Sequence, residues 1–282
     1  MRKKFKSSLS LLIAAIILIT SFSACSSRGG EGSDISDEAS VSSEPKEGAG
    51  ITSDTMESSP NLAPLASEKW AENNDTVGWL RVPGTTIDDV VVWKEGDNDF
   101  YLRRNFEKRH FYNGVYYADK RSTFGEGSVD DLGRNTVIYG HSMSDNKDDV
   151  KFGPVRYYLD EDFAKTHPYI YFSTTEDDLA WEVVAVFYTH WDIPYNRNDL
   201  SFDEFKDMYG EVTDRSVYTY DHELKESDKF LTLSTCVYSL PDKGALEYPN
   251  VYRFGIMARL VEPGEELKKE ASFVKNSNIK SA

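Results

Sequence analysis

Residues 229–236 read KFLTLSTC, and after a connection over residues 237–250 the chain reads VYRFGIMARLV at residues 251–261. Both runs are rich in β-branched, aromatic and aliphatic residues, the composition of paired strands rather than of helix. In the second run alternation puts Arg253, Gly255, Met257 and Arg259 on one face and Tyr252, Phe254, Ile256, Ala258 and Leu260 on the other. If the two runs pair as an antiparallel hairpin, the end of the first lies beside the start of the second, which brings Arg253 to Cys236. Arg259 is six residues further along, about 20 Å away at ~3.3 Å per residue. The same alternation puts Ser234 on the Cys236 face and Thr235 on the opposite one.

Upstream, the pattern repeats. VGWLRVPGT, DDVVVW, GVYYAD, NTVIYG, YIYFST and AWEVVAVFYTH are further strand-like runs, broken by turn signals such as Pro83–Gly84. Strands at this spacing with little helix between them predict a mainly β domain, an antiparallel barrel or sandwich. Two helices are predicted. One lies near Leu65–Asn73. The other is SFDEFKDMYGEV, Ser201–Val212, opened by a Ser201 cap with Glu204 three residues later.

The remaining organisation is set by composition. MRKKFKSSLSLLIAAIILITSFSAC has a basic start, an apolar run from Leu9 to Ile19 and then small residues. Eleven helical residues rise about 16 Å, short of a ~30 Å hydrocarbon core, so residues 1–25 read as an export signal. From Ser26 to Pro64 there is no Trp, Tyr or Phe; such a segment cannot bury enough apolar surface to offset its ordering entropy. Residues 26–64 are therefore expected to be a flexible tether, residues 65–262 the folded domain, and residues 263–282 a polar, fraying tail. The formal net charge is −16, all but −2 of it outside residues 1–66. That excludes nucleic acid as a partner, because phosphate recognition relies on Lys and Arg. The acidic cluster DNKDD, Asp145–Asp149, lacks EF-hand spacing and reads as a solvated loop rather than a Ca²⁺ site.

Cys236 is one of two cysteines. A lone thiol in an exported domain is either a small buried hydrophobe or a nucleophile. Catalysis needs a base to favour the thiolate, an acid for the leaving group and a positive group where an oxyanion develops. Arg253 supplies the last by the hairpin argument. Of the histidines, His110 and His222 lie in charged stretches and read as solvated surface, and His167 precedes Pro168 in a turn. His141, presented by Gly140 after a strand, and His190, at the end of another, both remain candidates on position alone.

Taken together, these stretches resemble the sortases, class B in particular. TLSTC (Thr232–Cys236) matches the TLxTC signature around the nucleophile, YGHSM (Tyr139–Met143) resembles the strand-end motif of the histidine, and YRFGIMARLV matches the strand that begins with the arginine. NDTVGWLRVPGTTID (Asn74–Asp88) and DNDFYLRRNF (Asp97–Phe106) resemble the class B N-terminal region, and a helix in the long connection before the cysteine strand is a class B trait. Val237 stands where class B members often carry an acidic residue.

The resemblance implies a closed sortase-type β-barrel. It implies His141 rather than His190 as general acid/base, Cys236 as nucleophile and Arg253 as oxyanion and substrate stabiliser, with Ser234 and Thr235 lining the pocket. It implies a cysteine transpeptidase that cleaves a Pro- and Thr-containing C-terminal sorting signal of exported proteins after the Thr. The product would be transferred through a thioester to a peptidoglycan-precursor or pilin amine, with no metal and no organic cofactor. SFSAC resembles a lipobox, so Cys25 is expected to carry a lipid and tether the enzyme to the outer face of the membrane; the same segment also fits an uncleaved transmembrane anchor. Two other readings use the same residues differently: a thiol peptidase releasing its product to water, and a lipid-anchored binding protein in which Cys236 is unreactive.

Overall fold

The computed structural model describes residues 60–248 and 251–282; the export signal, Cys25 and most of the expected tether lie outside the described residues. In chain order the elements are α1 (Ala63–Glu72), β1 (Thr76–Arg81), β2 (Asp88–Trp93), β3 (Tyr116–Ala118), β4 (Asn135–Tyr139), a 3-10 helix (Gly153–Leu159), α2 (Glu161–Thr166), β5 (Tyr169–Ser173), β6 (Ala180–His190), α3 (Phe202–Asp214), β7 (Tyr218–Tyr220), β8 (Phe230–Cys236), β9 (Ser239–Leu240), β10 (Gly244–Ala245), β11 (Tyr252–Leu260) and β12 (Phe273–Lys275). Eight of the strands close a barrel in the order β1-β2-β3-β4-β8-β11-β6-β5, and β1 pairs β5 to seal it. The fold is thus mainly β and closed, a barrel rather than a sandwich.

One expectation is corrected. The barrel is not wholly antiparallel, since β2 pairs β3 and β4 pairs β8 in parallel. Alternating burial reports which face a residue occupies, not the direction of its neighbour. The parallel β4–β8 pair needs a long crossover, and the chain supplies one holding β5, β6 and α3.

The inner face carries the alternate residues that the pattern predicts. Leu231 and Leu233 of β8, Phe254, Ile256 and Ala258 of β11 and Ile138 of β4 pack with Trp181, Phe172 and Leu80. The Trp181 indole N–H is satisfied inside by the Phe172 carbonyl at 2.9 Å. On the outer face Gly255 lies under Phe187, where an added Cβ would stand 2.5 Å from the ring; only glycine admits that approach. Beside it α3 lays Phe205, Met208 and Val212 on Phe230 and Met257. This helix starts as expected from the Ser201–Glu204 pair: the Glu204 carboxylate accepts from the Ser201 N–H at 2.9 Å, and the Ser201 hydroxyl accepts from the Glu204 N–H at 3.4 Å.

Both ends of the domain are more ordered than composition suggests. Leu62, inside the expected tether, is 1% exposed, and Asp178 Oδ1 accepts from the N–H groups of Leu62 (2.5 Å) and Ala63 (2.9 Å). Those bonds satisfy two of the orphan donors at the start of α1. The polar tail does not fray over its length. β12 pairs β7, and Phe273 packs its ring 4.4 Å from that of Tyr218, so a single aromatic anchors an otherwise polar segment.

Candidate active site

Cys236 ends β8, and its register partner across the β8–β11 ladder is Arg253. Neighbouring strands run about 4.8 Å apart, so the two side chains rise from adjacent positions on one face. On the other side of β8, β4 runs parallel with Tyr139 opposite Ser234. The chain then passes Gly140, whose N–H donates to the Ser234 carbonyl at 3.4 Å, and delivers His141 at the level of Cys236. Gly140 is required there because a Cβ would lie 2.6 Å from Phe152 Cδ2. His141, Cys236 and Arg253 therefore spring from three consecutive strand ends and line one cleft of about 650 Å³.

His141 and Arg253 are each held by a backbone carbonyl. The His141 Nε2–H donates to the Leu102 carbonyl at 2.7 Å, which leaves Nδ1 as the basic nitrogen. Burial lowers the His141 pKa from its ordinary value; the Leu102 bond opposes the shift, and nearby Arg103 adds to it. Burial thus favours the neutral ring. Cys236 is a partly exposed free thiol. Arg253 sends Nη1 to the Tyr252 carbonyl at 2.8 Å.

A polar floor lies beneath them. Tyr195, arriving from the crossover, shares a hydrogen bond of 2.9 Å with the Ser234 hydroxyl. Tyr139 donates to Asp119 Oδ2 at 2.8 Å and accepts from Asn196 at 3.0 Å. Burial acts to raise the Asp119 carboxyl pKa, but bonds from Arg121, Asn98 and Tyr139 carry the net shift downward. The rim is formed by Asn98, Asp99, Leu102, Trp191 and Val251, with Trp191 61% exposed.

Of the residues singled out from sequence, the cleft gathers His141, Ser234, Thr235, Cys236 and Arg253. Ser234 is engaged by Tyr195, whereas the buried Thr235 Oγ1 has no hydrogen-bond partner. His190 faces elsewhere, its Nδ1 paired with Asp192 at 2.6 Å and its ring edge-on to Tyr252. His167 stacks on Phe163 at 4.0 Å. His222 is not solvated surface: its side chain is 9% exposed, bonded to Asp228 at 3.1 Å and flanked by Tyr209 and Phe230. Arg259 is bound at the far end of β11 by Glu182 and Glu265. The acidic loop Asp145–Asp149 is tied to its surroundings rather than merely solvated, with Asp145 accepting from Arg156 and Asp149 from the Met143 N–H. Among the described residues no His, Cys, Asp or Glu cluster is arranged to hold a metal ion, and no helix is long and apolar enough to cross a membrane. Tyr195, Asn196 and Trp191 gave no sequence signal, because a crossover loop has no period to read. Tyr139 and Leu102 lie inside stretches that resemble the family, where nothing in the local sequence marks them.

No protein-family model matches the chain. The sortase B of Listeria monocytogenes is 34% identical over 165 residues, covering 58% of this chain and 63% of that protein. The Staphylococcus aureus sortase B is 29% identical over 165 residues, covering 58% and 64%. The chain thus matches a little under two thirds of the length of these curated relatives. A crystal structure of Bacillus anthracis sortase B superposes with a TM-score of 0.55 at 30% identity, covering 67% of this chain and 79% of that one. The S. aureus sortase B–substrate complex superposes with a TM-score of 0.59 at 24% identity, covering 72% and 87%, a likeness of fold.

Proposed function

The chain belongs to the sortase B family, and on that premise we propose that it is a cysteine transpeptidase acting on exported proteins with a Pro- and Thr-containing C-terminal sorting signal. The observation that carries this reading is the convergence of Cys236, Arg253 and His141 from three adjacent strand ends into one cleft.

In the proposed reaction neutral His141 takes the thiol proton of Cys236, giving thiolate and imidazolium. The thiolate attacks the carbonyl carbon of the signal's threonine. Arg253 holds the oxygen on which negative charge develops; a donor so placed typically lowers the barrier by ~2.7–4 kcal/mol. The C–N bond then breaks, imidazolium returns the proton to the departing amine, and a thioester remains, one hard step having become two easier ones. A peptidoglycan-precursor or pilin amine attacks the thioester, loses its proton to His141 and regenerates the thiol. Tyr139 is bonded to Asp119 and Asn196, and Tyr195 to Ser234, so these side chains orient the floor of the cleft. We place the enzyme on the outer face of the membrane, tethered through lipidated Cys25 or a transmembrane segment; the intact mass of the mature protein separates the two.

The test combines purified protein, a sorting-signal peptide and an amine such as triglycine. Amide product with a mass shift on Cys236 supports transfer, and acid product alone supports a peptidase. Retained cleavage in Cys236→Ala refutes the nucleophile.

A further inference from the structure

Arg156 is not a wall of the cleft, yet it touches all three strand ends that form it. Its side chain is 3% exposed. Nη1 donates to Ser142 Oγ at 3.0 Å, and Nη2 donates both to Asp145 Oδ1 at 3.1 Å and to the carbonyl of Cys236 at 2.7 Å. The guanidinium carbon stands 5.7 Å from the ring centre of Phe254, the residue after Arg253. Just before the same 3-10 helix, the N–H of Phe152 donates to the carbonyl of His141 at 2.8 Å. One short helical segment therefore grips the backbone of His141 at one end and that of Cys236 at the other.

Asp145 closes the arrangement. Besides Arg156, its Oδ1 accepts from the Tyr238 N–H at 2.9 Å and its Oδ2 from the Ser239 hydroxyl at 2.7 Å. Tyr238 in turn donates its hydroxyl to the Ser142 carbonyl at 2.9 Å. The chain after the histidine is thus stitched to the chain after the cysteine. An acid reaches the turn behind the nucleophile from the neighbouring strand end, where the adjacent position holds Val237. Burying a guanidinium is costly, and an apolar side chain of similar volume often serves stability as well or better; here the Nε of Arg156 even lacks a partner. Stability alone is a weak reason for such a residue.

We propose that Arg156, oriented by Asp145, is a positioning residue of the active site: by bonding the Cys236 carbonyl and the hydroxyl of Ser142, the residue after His141, it fixes the spacing between the Cys236 sulfur and the His141 imidazole. The planar fork of arginine meets three acceptors at once, which the point charge of a lysine ammonium does not reproduce. A misplacement of about 1 Å costs on the order of 100-fold in rate. The kinetic readout rests on the proposed transpeptidation, whereas the readout of thiol reactivity does not.

The experiment compares full-length parent, Arg156→Lys and Asp145→Asn. It measures thermal melting, kcat and KM for peptide cleavage, and the rate of iodoacetamide alkylation followed by mass spectrometry at the Cys236 peptide, so that Cys25 does not contribute. Folded Arg156→Lys is expected to lose about 10- to 100-fold in kcat with KM essentially unchanged, and to alkylate more slowly in parallel; Asp145→Asn moves the same way and carries the test if Arg156→Lys fails to fold. Parental kcat and alkylation rates in the folded variants, or a change confined to KM, overturn the proposal. A parent that alkylates readily but cleaves no peptide overturns the transpeptidase reading, while the alkylation comparison still decides the role of Arg156.

Discussion

Replacing Arg253 by lysine tests the placement of the oxyanion donor against a control on the same strand. Arg253 is the register partner of Cys236, whereas Arg259 pairs with Phe230 at the far end of the same ladder, about 20 Å away at ~3.3 Å per residue. Both changes keep the charge. At Arg253 the lost fork removes at least one directed hydrogen bond to the developing oxyanion, ~2.7–4 kcal/mol of barrier. At ~1.36 kcal/mol per decade that is about 100- to 1,000-fold in kcat. At Arg259 the lost bonds are those to Glu182 and Glu265, so Arg259→Lys lowers the melting temperature and leaves kcat near the parent's. The assay is cleavage of a fluorescence-quenched sorting peptide, with kcat and KM resolved and melting followed by circular dichroism. An Arg253→Lys enzyme within about threefold of the parent would refute the reasoning, as would an Arg259→Lys enzyme that is folded but inactive.

Three further outcomes follow. In Gly140→Ala the new Cβ meets Phe152 at 2.6 Å and Tyr116 at 3.0 Å; the overpacking should cost about 1–3 kcal/mol and displace His141, and a variant with parental melting and kcat would disprove that reading. Bonding to Arg259 holds the Glu265 carboxyl down at about 2; its stabilising contribution is therefore full above the unfolded value near 4.5 and fades as pH falls from there toward 2. Discounted for the exposure of this group, the contribution is roughly 1 kcal/mol, and Glu265→Gln should abolish that part of the acid dependence in urea melts. Burial holds His141 below its ordinary pKa, so the fall of kcat/KM on acidification should be centred below 6.5; a loss centred at or above 6.5 would show that the neutral imidazole is not the working form.

Much of this architecture is written locally in the chain. The alternation in residues 251–261 was enough to separate Arg253 from Arg259, because strand register converts sequence distance directly into space. The Ser201–Glu204 pair marked the start of α3 for the same reason: a cap is a contact three residues long. What could not be read is non-local. The direction of β4 against β8 depends on how the crossover between them folds. His222 looked solvated because its neighbours in sequence are charged, whereas its neighbours in space are Tyr209, Phe230 and Asp228. Arg156 was invisible for the same reason, since its partners Ser142, Asp145 and Cys236 share no pattern with it. The C-terminal segment reads as a fraying tail because it is polar, whereas what fastens it, the contact of Phe273 with Tyr218, is long-range.

The position of β11 has a temporal consequence. It lies between β8 and β6 in the barrel, yet it is the last barrel strand to be made. A growing chain therefore holds its thiol without a guanidinium across from it, and with two open sheet edges awaiting the same partner. Catalytic competence arrives with the final hairpin, so a chain still being made is chemically latent. The molecule lends itself to being split ahead of residue 251, with the missing strand added back as a trigger.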